Sequence, residues 1–196
     1  MTKRILLVQG HPDAGHNHLC EALEYAYEQG ARDQGHEVRH VHVAELNFPL
    51  LRSQDDWEHG ALPPCLHPAR ADILWCEHLV FFFPLWLGDM PALLKGFLEQ
   101  VARPGFAFGA VDGKTSMLSK GLRGRSARIV VTMGMPSLVY RFFFRAHSLK
   151  SMKRNILEFV GIDPVRDTVI GMAGEMNAAK AQRWLARMTA LGRAAA

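Results

Sequence analysis

The chain has 196 residues, 48% hydrophobic and 21% charged, with 17 Gly and 10 Pro. That composition excludes disordered and collagen-like chains, and the length fits one domain, residues 1–196, with a substantial core. The net charge of +4 is too mild to select nucleic acid, and its densest cluster, Lys120, Arg123, Arg125 and Arg128, is interleaved with glycine and reads as a solvated loop.

Ile5 to Val8 is a short, wholly apolar run ending at Gly10, as expected of a strand buried on both faces. Leu19, Ala22, Leu23, Ala26 and Gly30 follow at helical spacing, and Gly35 stops that helix. Val38 to Val43 is a second strand in which histidines alternate with valines, so His40 and His42 read as a solvated face at a sheet edge. From Ala44 to Pro68 the chain is a long loop, with a short helix before Trp75. Leu79 to Phe83 is the strongest strand. The helix after it, marked by Leu93, Leu94, Phe97, Leu98 and Val101, has Pro91 in its first turn and Asp89 placed to cap it. Ala127 to Thr132 is a fourth strand. Leu149, Met152, Ile156 and Val160 mark a helix closed by Gly161, Thr168 to Met172 a fifth strand, and Ala181 to Leu191 the last helix, with frayed alanines after it.

No apolar run approaches the roughly 20 residues of a membrane span, so membrane insertion is not expected. The N-terminal apolar run is too short for a secretory signal, and three cysteines without a CxxC pair read as reduced thiols; the expected location is the cytoplasm.

Strands alternating with helices mean βαβ units, right-handed crossovers and a parallel sheet covered on both faces. Ligands in such folds bind beyond the C-terminal ends of the strands, at the topological switch point. Three strand-to-helix stretches qualify: 9–18, 84–91 and 132–140. The first is neither G-x-G-x-x-G nor a Walker loop, but its amides and the helix start after it suit an anion. Its three histidines lack the spacing of a known metal motif, and no metal is expected. The second, Phe81-Phe82-Phe83-Pro84-Leu85-Trp86-Leu87-Gly88-Asp89-Met90-Pro91, passes through a Pro- and Trp-bearing turn that either joins the core or cradles a planar heteroaromatic ring.

This second stretch, running on to Phe97 and Pro104-Gly105-Phe106-Ala107-Phe108, resembles the signature of the flavodoxin-like NAD(P)H:quinone oxidoreductases. His11-Pro12 is similar to that family's first flavin loop, Thr132-Met133-Gly134 with Tyr140 to its third, and 155–161 to a late helix. The resemblance implies an α/β, flavodoxin-like, doubly wound five-stranded parallel sheet with helices on both faces. It implies a homodimeric enzyme carrying FAD or FMN, which takes hydride from NAD(P)H and passes it to a quinone-like acceptor in ping-pong fashion. By position, His11, His16, Asn17 and His18 would meet the flavin's phosphates or ribityl chain. Pro84, Leu85, Trp86 and Leu87 would lie along the ring, and Thr132, Met133 and Gly134 would close its other side. Tyr140 and His147 would act catalytically at its pyrimidine edge. Leu87 and Gly88 depart from the family pattern and imply a more open pocket, whereas Met135 stands in place of a glycine of the third loop and implies crowding of the ring. Two other roles share the fold: a flavodoxin-type electron carrier, and an accessory subunit of a membrane transport protein.

Overall fold

The computed structural model describes residues 2–15, 18–111 and 114–196. Five parallel strands form its sheet: β1 (Arg4–Gln9), β2 (Glu37–His42), β3 (His78–Pro84), β6 (Ser126–Thr132) and β7 (Val165–Ile170). Their spatial order is β2-β1-β3-β6-β7, so the chain reverses its direction of growth between β1 and β3. β2 lies at one edge, as its mixed pattern predicts. A separate antiparallel pair, β4 (Phe108–Val111) and β5 (Lys114–Lys120), stands between α4 (Ala92–Val101) and β6. Sequence reasoning passed over it, although Asp112-Gly113 is a dipeptide favoured between paired strands.

Alternation along each strand divides the apolar residues into two cores. Leu6, Val8, Phe81, Ile129 and Val131 face one side with Leu94 and Phe97 of α4. Ile5, Leu7, Val80, Phe82 and Val130 face the other with Leu23 and Tyr27 of α1 (Leu19–Asp33) and Met188 of α7 (Ala178–Ala194). The α1–α7 crossing is close. A Cβ on Gly30 would stand 2.0 Å from the Thr189 carbonyl oxygen, and one on Gly192 2.0 Å from that of Tyr27.

Several expectations need correction. The fifth strand runs Val165–Ile170 rather than Thr168–Met172. Arg166 and Asp167 disguise its start, because an edge strand tolerates charge, and Met172 has a left-handed backbone that ends it. The helix from Leu149 to Val160 is α5 (His147–Ser151), a widened π-helical stretch Met152–Leu157 and α6 (Glu158–Val160), closed by Gly161. The long loop contains α2 (Gln54–His59), whose start Ser53 caps by accepting the Asp56 N–H, before α3 (His67–Trp75). Asp89 does not cap α4; its carboxylate accepts the neighbouring Met90 N–H at 2.7 Å, and Pro91 occupies the cap position. The last alanines are not frayed. Ala195 is buried, and Arg128 donates to the Ala196 carbonyl.

The basic cluster is not a solvated loop either. Arg128 is buried and also donates to Thr168 Oγ1, Arg125 donates to the carbonyls of Ile73 and Leu74, and Lys120 to that of Glu158. No helix among the described residues is long and apolar enough to cross a membrane.

Candidate functional site

Strands β1, β3 and β6 are neighbours in parallel register, with Val8 beside Phe81 and Pro84 beside Thr132. Their C-terminal ends therefore open side by side, and the three predicted stretches leave from one rim. The reversal between β1 and β3 makes a crevice there.

The loop after β1 is tied down from within. Gly10 donates to the Phe82 carbonyl at 2.7 Å, and His11 donates its N–H to Gln9 Oε1 at 3.2 Å. The His11 ring lies flat against that of His18, centroids 3.9 Å apart. Partial burial and the His18 charge push the His11 imidazole below its ordinary range, although Asp13 opposes this. Asp13 accepts the Gly15 N–H at 2.8 Å and stands 2.9 Å from His18 Nε2; the Gly15 bond first, then His18, hold its carboxyl down. A carboxylate thus already sits among donors suited to an anion. His18 precedes the first turn of α1 without a side-chain cap of its own, and its carbonyl oxygen accepts the N–H groups of Glu21 and Ala22 at 3.1 and 3.2 Å. His16 and Asn17 lie outside the described residues.

The loop after β3 is a tight turn. Trp86 and Asp89 exchange both backbone hydrogen bonds, at 2.9 and 3.0 Å, across Leu87 and Gly88, which both have positive φ. Positive φ at both central positions is the type I′ geometry; glycine adopts it freely, whereas a leucine there is strained. Leu87 is fully exposed and Trp86 50% exposed, so neither joins the core. Pro84 and Leu85 are half-buried, and Leu85 donates to the Thr132 carbonyl at 2.7 Å. Trp86 also meets His11 edge to face, centroids 5.9 Å apart, so the two loops touch across the crevice.

The third stretch begins in the interior. Thr132 is buried with Oγ1 3.3 Å from Cys20 Sγ, and Met133 is buried and donates to the Ile170 carbonyl. Gly134 is exposed, with no atom of the described residues within 4 Å of where a Cβ would stand. Tyr140 is only 2% exposed; its hydroxyl lies 2.8 Å from Ser148 Oγ and accepts the Leu149 N–H at 3.1 Å. His147 is exposed, directly after Arg145 and Ala146, two consecutive left-handed residues. The hydroxyl of Tyr140 thus organises the segment that carries His147.

Beside the first loop, residues that sequence reasoning had assigned to solvent form a cluster. His40 and His42 of β2 converge on Glu24 of α1, and Gln9 Nε2 donates to the same carboxylate at 2.7 Å. Burial opposes ionisation of Glu24, but the hydrogen bonds from His40, His42 and Gln9 bring its carboxyl down to about 2. The bond to Glu24 raises His42 to about 9 and also raises His40. His42 is exposed, as expected of an edge strand, but His40 is half-buried and both are paired with Glu24 rather than simply solvated. The His-x-His and Glu-x-x-x-Glu spacings were legible separately; their meeting depends on how α1 crosses β2. The thiols of Cys20 and Cys76 are pushed up by burial to about 11 and about 12, which leaves them unreactive.

A family model described as flavodoxin-like fold matches residues 3–191. The chain is 28% identical over 171 residues to the uncharacterized NAD(P)H oxidoreductase YcaK of Escherichia coli K12, spanning 83% of this chain and 80% of that protein. It is similar in structure to the NAD(P)H:quinone oxidoreductase of Methanothermobacter marburgensis, with a TM-score of 0.81 and 22% identity over 98% of each chain. It is also similar to an FMN-dependent NADH-azoreductase of Bacillus anthracis in complex with FMN, with a TM-score of 0.72 and 13% identity over 99% of this chain and 98% of that one.

Proposed function

This chain belongs to the flavodoxin-like fold family, and on that premise we propose that it is an NAD(P)H oxidoreductase of the quinone-reductase kind, dependent on a bound flavin and working by alternate entry of donor and acceptor. The observation that carries the reading is the exposed Trp86-Leu87 turn set against His11 at the switch-point crevice. The named activity of the bacterial relative supports it.

The residues present fit a flavin. The start of α1, where His18 makes no side-chain cap, and the Gly15 N–H, which a phosphate would take over from Asp13, suit an anion; the Trp86-Leu87 turn offers flat apolar surface, and Gly134 leaves its backbone open to close approach. In this reading His11, His16, Asn17 and His18 hold the phosphate and polyol chain. Pro84, Leu85, Trp86 and Leu87 line one side of the ring, and Thr132, Met133 and Gly134 the other. When bound, a flavin supplies two-electron hydride chemistry in both half-reactions. The chain's own part is to orient the ring, exclude water and place a proton donor where negative charge develops. His147 is that donor, and Tyr140 is a positioning residue that holds its segment through Ser148 and Leu149. The flavin is FAD or FMN, with FMN in the azoreductase neighbour.

A second copy of the chain is part of the proposal. Phe142 and Phe143 are 78% and 79% exposed, next to exposed Leu138 and Val139, an apolar surface suited to a homodimer. Reduced thiols remain the argument for the cytoplasm as its location.

The test is direct. Purified protein should be yellow and release FAD or FMN on denaturation. It should oxidise NAD(P)H faster when a quinone is added, with parallel double-reciprocal lines. Protein that binds neither FMN nor FAD at micromolar concentration would overturn the reading.

A further inference from the structure

Outside the three loops, one group of side chains among the described residues has the donors and spacing of a metal centre. Glu24 faces β2 from the second turn of α1, and His40 and His42 fall on the same side of that strand because side chains alternate. Glu24 Oε1 stands 2.9 Å from His40 Nδ1 and 3.5 Å from His42 Nε2. The three atoms all lie within 4.8 Å of one another. Ligand atoms about 2.0–2.2 Å from a tetrahedral zinc stand about 3.3 Å apart. The two separations bracket that value, so an ion needs only small side-chain movements.

Two features set this cluster apart from an ordinary surface ion pair. Each imidazole turns its second nitrogen toward a carboxylate of its own: His40 Nε2 is 3.0 Å from Glu28 Oε1, and His42 Nδ1 is 3.3 Å from Glu45 Oε1. Such outer partners fix the tautomer and strengthen the donor nitrogen of metal-bound histidines. Glu24 is also only 4% exposed, with its other oxygen held by Gln9. Its Oε1 is therefore directed at the histidine pair by packing.

We propose that Glu24, His40 and His42 form a binding site for a divalent transition metal of the zinc class, with three protein ligands and one open position. Two imidazoles and one carboxylate suit such borderline cations, whereas calcium and magnesium require more oxygen ligands. The ion takes the place of the protons shared between Glu24 and the imidazoles, which are released to solvent on loading. Gln9 carries the effect onward: its Nε2 holds Glu24 while its Oε1 accepts the His11 N–H. A bound ion thereby stiffens the root of the first strand-end loop.

The full chain, stripped with a chelator, is titrated with Zn²⁺ alone by calorimetry, and with Co²⁺, whose tetrahedral complexes absorb visible light. One equivalent should bind at micromolar concentration. His40→Ala and His42→Ala should each weaken binding about 100-fold or more, and Glu45→Gln about 10-fold, with circular dichroism confirming that the variants fold. Two results overturn the site: no binding below millimolar Zn²⁺, or undiminished binding by the folded double histidine variant, which would put the ion elsewhere, for instance on His11 and His18.

Discussion

At the scale of single residues, two side chains have measurable consequences of their own. His78 is buried at the start of β3, where its Nδ1 lies 2.8 Å from Ser126 Oγ and its Nε2 has no partner among the described residues. Burial first, then the charges of Lys3, Arg128 and Arg166 and the nearby His36, push its imidazole from 6.5 down to about 3. Between those values the unfolded chain binds a proton that the native chain does not. Stability is therefore unaffected above pH 6.5 and is lost as the pH falls below it, by about 3 kcal/mol at pH 4. Denaturant midpoints should drop through this window in the native sequence and much less in His78→Asn; equal acid profiles would assign the loss to other groups. Asp13 acts in the proposed phosphate cradle. Its carboxylate occupies the Gly15 N–H and His18 Nε2, which an incoming phosphate would have to win. Asp13→Asn should tighten FMN about 5-fold at low salt, roughly 1 kcal/mol, and leave riboflavin, which lacks the phosphate, unchanged. Equal gains for both ligands would mean that the phosphate sits elsewhere.

At the scale of elements, the close crossing of α1 and α7 is the most sensitive joint. Backbone carbonyls occupy the space that a side chain at Gly30 or Gly192 would need, so even one methyl group forces the helices apart. Gly30→Ala and Gly192→Ala should each cost about 2–3 kcal/mol, read as lowered thermal midpoints; an unchanged midpoint would show that the helices slide freely. The elements also show where sequence reading succeeds. β1, β3 and β6 are buried on both faces, so their apolar runs are continuous and legible. β7 is an edge strand with Arg166 and Asp167 inside it, and its boundary was placed late. The candidate site divides in the same way. The three loops were found because each joins a buried strand to a helix. The partnership of Glu24 with His40 and His42, and the burial of the Tyr140 hydroxyl against Ser148, were not legible, because the first depends on how α1 crosses β2 and the second on a backbone that turns through two left-handed residues, Arg145 and Ala146, between the partners.

For the whole molecule, the question is how many copies act together. The exposed Phe142-Phe143-Phe144 stretch lies between β6 and β7 and belongs to neither of the two buried cores, so its apolar surface is not required by the fold of one chain. Light scattering should give a dimer for the native sequence and a monomer for Phe142→Ser/Phe143→Ser. A native monomer with full NAD(P)H oxidation would refute the pairing. If the pairing completes the crevice, the monomeric variant should also lose flavin on dilution, while its circular dichroism remains native.

The Trp86 turn has an optical consequence. Four tryptophans occur in the chain: Trp57 lies beside Leu98 of α4 and Ile156, Trp75 under the Arg39 guanidinium and Trp184 near Arg187. Trp86 alone is half open at the rim, beside a His11 ring whose ionisation burial and His18 disfavour. Replacing the other three with phenylalanine leaves one fluorophore at the entrance. Its emission should dim when a flat ligand stacks in the crevice and should ignore events elsewhere. The protein thus contains its own light meter, able to rank ligands before any turnover is measured.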